Sequence, residues 1–400
     1  MNPDQIGFSW AINPYSGWGI YGYNIVRYLC LHTRITPVVL EECTFNFADP
    51  LETELVSYRT ETSLADDPDA LERFRYSNRA LPFPVLHARG NFLKPQFAGN
   101  SLGVLGRQNH ALTFIENSAI SPREVEIYNE FTSVIAGSTW NGTLLREAGV
   151  QNVSVNVQGI DPAIFHPAPK RELFKNRFII FSGGKMEFRK GQDIVLEAVR
   201  VFAQRHPETL LLNVWGNNWP SSRSYQQFVH SPYFEAPPPP DETGKLQLMK
   251  WFEAFGLGRQ NIFAFPKYAH FKTPYLMREA DVALFANRCE GGTNLVAMEA
   301  MACGIPTIIS RNTGHLDIIH EGACLPLHSQ SQITIPDPDF DSAGWGESSV
   351  EEILENLEFV YQNRSAAAEI GQAGALKMRE LSWDIQAARL LDLIGCNGRQ

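Results

Sequence analysis

The sequence predicts an α/β protein of two domains, each built around a mostly parallel β-sheet. Its 400 residues are more than one typical hydrophobic core contains. Short apolar segments alternate with helical patterns along most of the chain, which is typical of repeated strand–helix–strand units. The proline-dense residues 158–171 interrupt this alternation and indicate a stiff linker between the domains.

The first alternation predicts a domain over residues 1–168. It begins with a strand at residues 6–12, and a loop and a helix near residues 23–29 follow this strand. The later strand patterns of this part are short and apolar, and they occupy residues 36–40, 85–87, 111–115, 133–136 and 153–156. Because helices separate the strands, we expect parallel pairing.

The second alternation predicts a domain over residues 169–382. Its first strand and helix patterns occupy residues 178–181, 193–205, 210–214 and 263–265. An insertion at residues 217–243 contains the run Pro237–Pro240, which indicates a polyproline II segment at the surface. Helical patterns at residues 350–364 and 383–394 end the chain.

The composition argues against several classes of protein. The net charge of −10 disfavours a nucleic-acid partner, which requires a basic surface. No apolar run approaches the roughly 20 residues of a membrane span, and the amino terminus lacks the pattern of a signal peptide. The six cysteines form no CxxC pair and no zinc spacing with histidine. We therefore expect a cytoplasmic protein without metal or disulfides.

The most informative segment is Glu290–Ala302, which reads Glu-Gly-Gly-Thr-Asn-Leu-Val-Ala-Met-Glu-Ala-Met-Ala. It lies between two apolar segments, residues 281–286 and 307–309, and so predicts a strand, a loop, a helix and a second strand. The loop contains Gly291 and Gly292. A helix that starts after such a loop presents backbone amides to an anion.

The helix start of this segment predicts an anion site with a ribose site beside it. The amides of Thr293, Asn294 and Leu295 are expected to face a phosphate. Glu299 lies about one turn further along, where its carboxylate would accept hydrogen bonds from a ribose diol. The alternative for Glu299 is a surface position on an ordinary helix.

A second cluster gathers positive charge where a strand meets a helix. Gly184, Lys185, Arg189 and Lys190 follow the strand pattern at residues 178–181. The carboxyl end of a strand is the usual ligand crevice of open α/β sheets, and these cations would neutralise a diphosphate. The alternative is a solvated basic turn.

A glycine-rich loop in the first domain is a further candidate for binding the same diphosphate. Gly17, Trp18 and Gly19 follow the first strand, and their backbone amides are expected to contact the diphosphate. The Gly-x-Gly-x-x-Gly spacing that starts at Gly17 also fits a dinucleotide fingerprint. The nearest acidic residues, Glu41 and Glu42, are not at a clear strand end, so a nicotinamide enzyme is disfavoured.

Two Asp-x-Asp sequences raise the question of a metal site. Asp67-Pro-Asp69 and Asp337-Pro-Asp339 both carry a central proline in polar, turn-like surroundings, which favours surface turns. The cations and helix amides already supply counter-charge for a phosphate. We therefore expect no metal requirement and no other cofactor.

Taken together, these segments resemble the family 4 glycosyltransferases, most strongly over residues 178–323. The family motif Gly-Arg-(x4)-Lys-Gly is similar to Gly184-Lys185-(x4)-Lys190-Gly191. The family ending Glu-Ala-Met-Ala-x-Gly is similar to Glu299–Gly304. Residues 312–319 are similar to the family's Gly-Gly-x-x-Glu element.

The resemblance implies the GT-B architecture, in which two Rossmann-like domains face each other across a cleft. It implies a retaining transfer from a nucleotide-sugar donor, such as a UDP- or GDP-sugar, to a hydroxyl acceptor that enters from the first domain. Lys185 and Lys190 would neutralise the leaving diphosphate, and no dedicated base is expected. The last helix, within residues 383–400, would cross back to the first domain.

The sequence departs from the family pattern at three places. The family has seven residues between its two carboxylates, whereas Glu290 and Glu299 have eight between them, so the counterpart of the first carboxylate is either Glu290 or Gly291. The resemblance implies a catalytic role for Glu290 if it is that counterpart. Lys185 replaces an arginine and lacks its planar fork. Glu116 lies near the place of a family histidine; we expect it to act on donor or acceptor or to cap a turn.

Other classes of function stay open at this point. A nucleotide-sugar epimerase or a sugar phosphorylase would use the same architecture, and a non-catalytic sugar-nucleotide binding protein would share the site. A transferase differs because it releases a nucleoside diphosphate. We expect backbone near residues 265–267 to contact the base, but the sequence indicates neither the sugar, the acceptor nor the oligomeric state.

Overall fold

The chain folds into two compact α/β units. The computed structural model describes residues 4–46, 48–77, 79–216, 227–234, 247–265, 269–337 and 339–396. The first unit comprises Met1–Gly159 and Leu381–Gln400, and the second comprises Ile160–Glu380. No helix within the described ranges is long and apolar enough to cross a membrane.

A six-stranded parallel sheet forms the core of the first unit. Its strands are β1 (Gln5–Phe8), β2 (Thr36–Val39), β3 (Val85–Arg89), β4 (Asn109–Thr113), β5 (Ser133–Ala136) and β6 (Val153–Val155). They occur in the spatial order β2-β1-β3-β4-β5-β6 and all pair in parallel. The central strands are buried on both faces, in agreement with their apolar composition.

Helices connect these strands. They are α1 (Gly17–His32), α2 (Pro50–Arg59), α3 (Ser63–Asp66), α4 (Pro68–Tyr76), α5 (Pro122–Asn129) and α6 (Thr139–Ala148). The last helix of the chain, Trp383–Leu393, packs against α1. The rings of Tyr21 and Trp383 are 5.6 Å apart, and Arg27 pairs with Asp384 at 3.2 Å.

A second six-stranded parallel sheet forms the core of the other unit. Its strands are β7 (Phe178–Lys185), β8 (Thr209–Gly216), β9 (Ile262–Ala264), β10 (Val282–Phe285), β11 (Thr307–Ser310) and β12 (Leu325–Leu327). Their spatial order is β12-β11-β10-β7-β8-β9. Two short strands, β13 (Gln330–Gln332) and β14 (Gly346–Ser348), form an antiparallel pair outside this sheet.

The described helices of this unit follow the same alternation. They are α7 (Gln192–Arg205), α8 (Leu248–Ala254), α9 (Pro274–Met277), α10 (Leu295–Ala302), α11 (Val350–Gln362) and α12 (Arg364–Arg379). The last helix of the chain, Trp383–Leu393, is α13. The two parallel sheets confirm the predicted α/β class.

Several boundaries differ from those expected from the sequence. The first strand ends at Phe8 rather than at residue 12, and helix α1 begins at Gly17. Ser16 determines this start, because its hydroxyl accepts a hydrogen bond from the amide of Gly19 at 3.0 Å. The expected glycine loop is therefore the first turn of a helix. Strand β7 continues past residue 181 to Lys185.

The proline-dense segment packs on the second unit. Arg278 donates hydrogen bonds to the carbonyl oxygens of Ile164 and His166 at 2.9 Å each. Phe165 is buried, with its ring centroid 5.1 Å from that of His270. The unit boundary therefore falls after Gly159 instead of after residue 168. The expected polyproline run at 237–240 lies outside the described residues.

Candidate functional site

The second sheet brings two predicted parts of the site to one edge. Strands β8 and β9 lie on one side of β7, and β10, β11 and β12 lie on the other, so the winding reverses between β7 and β10. Ligands of open parallel sheets bind outside the carboxyl ends of the strands at such a reversal. The predicted cations follow β7, and the segment Glu290–Ala302 follows β10.

The cationic segment is a tight turn. Strand β7 contains Gly184 and ends at Lys185, whose side chain is exposed, and Phe188–Lys190 form one turn of 3-10 helix. Gly191 then adopts a φ of 66°, and helix α7 starts after it. A Cβ at Gly191 would collide with the carbonyl oxygen of Ala286, so the approach of the two loops requires glycine.

The loop after β10 is bonded to this turn. The carbonyl oxygen of Arg189 accepts from the amides of Arg288 and Cys289 at 2.7 and 3.1 Å. The guanidinium of Arg288 is fully buried, binds both oxygens of Asp193 at 2.6 and 2.7 Å, and lies 3.9 Å from the ring centroid of Phe188. These contacts hold the two loops against each other.

Glu290 pairs with two cations of the turn. Its carboxylate accepts from Lys190 Nζ, from Asn287 Nδ2 and, at 3.1 Å, from Arg189 Nη1. Burial alone would raise the pKa of this carboxyl, but Lys190 and Arg189 outweigh burial and lower the pKa to about 2. Arg189 also binds Glu187 at 2.6 Å. The geometry gives Glu290 a charge-pairing role, and its catalytic role stays a prediction.

The loop after β11 holds the beginning of the predicted segment. The hydroxyl of Thr313 accepts from the amide of Glu290 at 2.9 Å, and the amide of Gly314 donates to the carbonyl oxygen of Glu290 at 3.0 Å. A Cβ at Gly314 would collide with the carbonyl oxygen of Gly292. Gly291 and Gly292 are both buried. The carboxyl ends of three adjacent strands thus build the site.

Helix α10 begins with an open amino terminus. Its N-cap residue Asn294 has a φ of 63° and, within the described part of the chain, a side chain that makes no capping hydrogen bond. The first amides of a helix have no intrahelical acceptor, and together with the helix dipole they attract an anion. Asn294 and Leu295 contribute such amides, whereas Thr293 precedes the helix and donates its hydroxyl to Met298 Sδ at 3.0 Å.

His315 holds the start of this helix. Its Nε2 lies 3.1 Å from Asn294 Nδ2, and its Nδ1 lies 3.1 Å from the carbonyl oxygen of Ser310. Burial lowers the pKa of His315 to about 4, so the ring is neutral at neutral pH. Nδ1–H therefore donates to Ser310, and Nε2 accepts from Asn294. This bond supports the left-handed residue at which α10 starts.

Glu299 lies one turn into α10 and is 3% exposed, which excludes the surface alternative. Its Oε1 accepts a hydrogen bond from His270 Nε2 at 2.5 Å. Burial lowers the pKa of His270, but the carboxylate of Glu299 outweighs burial and the net pKa is raised. Among the described residues, Glu299 Oε2 has no hydrogen-bond partner. This second carboxylate oxygen is thus left to accept hydrogen bonds from hydroxyl groups of a ligand.

In the first unit, Gly17, Trp18 and Gly19 form the first turn of α1. The ring centroid of Trp18 is 4.7 Å from that of Phe114, and its carbonyl oxygen accepts from Trp10 Nε1 at 3.0 Å. The amide of Gly19 is already capped within the helix. Contact of these residues with a donor stays a prediction.

Glu116 belongs to a turn that Asn91 organises. Asn91 Oδ1 accepts from the amides of Glu116 and Asn117 at 2.7 and 3.0 Å. Asn91 Nδ2 in turn donates to Glu116 Oε2 at 2.8 Å. These contacts agree with the capping alternative, and a role of Glu116 towards a substrate stays a prediction.

The two Asp-x-Asp sequences lie in turns. Asp67 is the N-cap of α4 and accepts from the amide of Ala70 at 3.0 Å, and Asp337 accepts from the amide of Asp339 at 3.1 Å. The part of the chain that the structure describes contains no group of three or more His, Cys, Asp or Glu side chains suited to a metal. The expected base contacts at residues 266 and 267 lie outside that part.

Sequence reasoning assigned no role to four polar residues of the site, which are Asn287, Thr313, His315 and His270, although Thr313 and His315 lie within the family-like residues 312–319. Asn287 and Thr313 come two and three residues after the ends of β10 and β11, so the position of a polar residue behind a buried strand was a usable signal. His270 had no such signal, because it lies in an irregular segment and 29 positions from Glu299.

The part of the chain that carries this site resembles known glycosyltransferases. Residues 167–342 match the family model of glycosyl transferases group 1. The chain is 25% identical over 284 residues to mannosylfructose-phosphate synthase of Agrobacterium fabrum (strain C58), and the match covers 68% of this chain and 54% of that protein. The chain thus spans about half the length of this curated relative.

Solved structures show the same fold over nearly the whole chain. Sucrose-phosphate synthase of Thermosynechococcus elongatus has a TM-score of 0.66 at 15% identity, covering 99% of this chain and 98% of that chain. Anabaena HepE in complex with UDP-glucose has a TM-score of 0.63 at 15% identity, covering 98% and 99%. At this identity the likeness shows the fold alone. The comparisons together confirm the predicted GT-B fold class and support a glycosyltransferase.

Proposed function

We propose that the chain transfers a sugar from a nucleoside diphosphate sugar to a hydroxyl group, with retention of the anomeric configuration. One observation carries the proposal: a cationic turn, an open helix amino terminus and a buried carboxylate follow adjacent strands at the winding reversal of one sheet. A diphosphate and a ribose require these three groups. The family match over residues 167–342 supports the proposal.

The charges of the turn suit a leaving diphosphate. Lys185, Arg189 and Lys190 lie close enough to Glu187 to lower the pKa of its carboxyl together. These cations and the positive end of the α10 dipole would stabilise the charge that grows on the diphosphate during bond cleavage. Stabilisation that increases towards the transition state raises the rate of transfer.

The transfer itself breaks the bond between the anomeric carbon and a diphosphate oxygen, and the electron pair leaves with the diphosphate. The acceptor oxygen forms its new bond to the anomeric carbon from the same face, and its proton passes to a diphosphate oxygen. This step needs no separate base. Glu290, with a pKa of about 2, would be a poor proton acceptor in any case.

The remaining assignments concern ribose, base and acceptor. Glu299 would accept hydrogen bonds from the ribose hydroxyls. The complexes of HepE with UDP and with UDP-glucose make a UDP-sugar the first donor to test. The names of two relatives refer to the synthesis of sugar phosphates, so a sugar phosphate is the first acceptor to test.

A thermal-shift screen of UDP-, GDP-, ADP- and TDP-sugars tests donor binding. A ligand at 100 times its Kd stabilises the folded state by about 2.7 kcal/mol, which raises the melting temperature measurably. The preferred donor, labelled in its sugar, is then incubated with sugar phosphates and free sugars. We expect release of the nucleoside diphosphate and a labelled glycoside of unchanged anomeric configuration.

Other outcomes of this experiment favour the alternatives. An epimerase would return a changed sugar that is still attached to its nucleotide, and a phosphorylase would require inorganic phosphate. Binding without turnover for every acceptor would support a non-catalytic binding protein. The absence of a thermal shift with all four nucleotide classes would contradict the proposal.

A further inference from the structure

We propose that His270 is a positioning residue for the ribose: its Nε2–H holds one oxygen of Glu299 so that the other oxygen stays directed at ribose hydroxyls. The inference rests on the proposed function, because it takes a nucleotide to bind at Glu299. No motif of the sequence contains His270. The contact between the two side chains joins separate elements of the second unit.

The geometry of this contact is that of a charge-assisted hydrogen bond. His270–Lys272 form a 3-10 turn before α9, whereas Glu299 lies within α10. The distance from His270 Nε2 to Glu299 Oε1 is 2.5 Å. A bond of this kind restricts the rotation of the carboxylate and so determines where its second oxygen lies.

The imidazole ring is itself held in place on another side. Its centroid lies 5.1 Å from that of Phe165, and Asp161 of the same segment adds a favourable charge. Arg278 anchors this segment by donating to two of its carbonyl groups at 2.9 Å. Because the ring is constrained by packing, its Nε2–H is a fixed donor.

Burial explains why Glu299 requires such a partner. A buried carboxylate without counter-charge is unfavourable, and the protonated imidazole of His270 supplies that charge. The pKa of His270 is raised by Glu299, so the ring is protonated over a wider range of pH than an exposed histidine. The hydrogen bond from His270 occupies one oxygen of Glu299 and leaves the other to accept hydrogen bonds from a diol.

The second oxygen distinguishes this pair from a purely structural one. Glu299 Oε2 has no hydrogen-bond partner in the described ranges, although the side chain is only 5% exposed. Glu299 Oε2 is not among the fully buried polar atoms without a partner in the described ranges, so a ligand can reach it. A ribose hydroxyl at Oε2 would gain a hydrogen bond to a charged group.

Calorimetric binding of nucleoside diphosphates and their 2′-deoxy forms tests the inference. UDP, GDP and ADP are titrated first, and the tightest binder is then compared with its 2′-deoxy counterpart. Two variants are used beside the wild type. His270→Phe keeps a ring against Phe165 but removes the donor, and His270→Gln keeps an N–H near the position of Nε2.

We expect His270→Phe to lose affinity for the ribonucleotide but not for its 2′-deoxy form. In the wild type we expect the ribonucleotide to bind about tenfold more tightly than its 2′-deoxy form, as one hydrogen bond to a charged group allows. His270→Phe should raise the Kd of the ribonucleotide about tenfold and that of the deoxy form by less than about threefold. His270→Gln should retain most of the wild-type preference.

Each of the following results would overturn the inference. Equal losses for both nucleotides in His270→Phe would indicate a structural role only, and unchanged Kd values would indicate no role. Failure of every diphosphate to bind to the wild type would overturn the proposed function as well, so the two failures are distinguishable. A wild-type preference for the ribonucleotide with no effect of His270→Phe would overturn the inference alone.

A second measurement covers the case in which His270→Phe does not fold. The ring ¹⁵N resonances of His270 are followed in the wild type during titration with the ribonucleotide and with its 2′-deoxy form. A larger shift of Nε2 with the ribonucleotide supports the inference, and equal shifts overturn it.

Discussion

Among single residues, Glu290 is a carboxylate that lies within a predicted anion site. A carboxylate beside a phosphate repels it, yet Glu290 lies in contact with Lys190 and Arg189 and is 4% exposed. Without this carboxylate, Lys190 would lose its bonded counter-charge and Arg189 would keep Glu187, so two largely buried cations would share one carboxylate, which is unfavourable. Glu290 therefore allows the cations to be held in place without bound ligand.

Glu290→Gln tests this role because it keeps the shape and removes the charge. Because Lys190 then lacks its bonded carboxylate, the free energy of unfolding should fall by about 3 kcal/mol or more. A nucleoside diphosphate would restore the missing negative charge, so the thermal shift that it causes should be larger than in the wild type. Thermal unfolding with and without the best-binding diphosphate measures both effects.

Glu279→Gln is the matched control. Glu279 is a buried carboxylate of the same unit that accepts from the amides of Arg171 and Leu173 at 2.6 and 2.8 Å. Its loss should also destabilise the protein, but the diphosphate should then cause the same shift as in the wild type. Equal shifts in the Glu290→Gln and Glu279→Gln variants would contradict the charge-pairing role.

At the scale of elements, the start of α10 depends on an uncommon backbone conformation. Asn294 has a φ of 63°, and the left-handed region costs about 1–2 kcal/mol for residues with a Cβ. The bond from Asn294 to His315 offsets part of that cost. The open amides of the helix depend on this arrangement, because it replaces an ordinary N-cap.

A pair of substitutions at Asn294 separates conformation from hydrogen bonding. Asn294→Gly and Asn294→Ala both remove the bond to His315, but only alanine retains the penalty of the left-handed region. We expect Asn294→Ala to lower the free energy of unfolding by about 1–2 kcal/mol more than Asn294→Gly does. Urea denaturation of both variants measures this difference, and equal values would show that the conformation carries no strain.

At the scale of the whole molecule, three buried histidines make the folded state sensitive to acid. Burial lowers the pKa of His87, His110 and His315 to about 4 each. The unfolded chain binds these protons near pH 6.5. Between pH 6.5 and pH 4 it therefore holds more protons than the folded state, and the free energy of unfolding decreases as the pH is lowered. Glu290, whose pKa is lowered, adds to this loss of stability below about pH 4.5. His270, whose pKa is raised, changes stability only above pH 6.5 and so does not affect this range.

We therefore expect the melting temperature to decrease steadily from pH 7 to pH 4.5. Scanning calorimetry across this range measures the decrease. The double variant His87→Gln/His110→Gln removes two of the three groups, so its melting temperature should depend less on pH. A flat profile in the wild type, or equal slopes in both proteins, would contradict the assignment.

The fold was predictable because its signals are local. The apolar strands and the alternation with helices predicted both parallel sheets. The start of α1 was missed because Gly17 and Gly19 resemble loop residues, whereas the hydroxyl of Ser16 caps a helix there. The end of β7 was missed because Ser182, Gly183 and Gly184 break the apolar pattern although the strand continues to Lys185.

The site was predictable only as far as its motifs extend. The cationic turn and the helix start follow from residue types near strand ends. The contacts of Glu290 with Lys190 and of Glu299 with His270 join residues 100 and 29 positions apart, which spacing within a motif does not reveal. The sequence therefore indicated which polar residues lie near the strand ends. It did not indicate which of these residues form hydrogen bonds with each other.

The rate of sugar transfer in Lys190→Ala and Glu299→Ala shows whether the cationic turn and helix α10 form the donor site. Lys377→Ala, which removes a half-exposed lysine paired with Glu380 on the surface, serves as the control and should transfer at the wild-type rate. With folding verified by circular dichroism, we expect the rate of transfer of each site variant to fall about tenfold or more. Near-normal transfer in both site variants would contradict the assignment of the site.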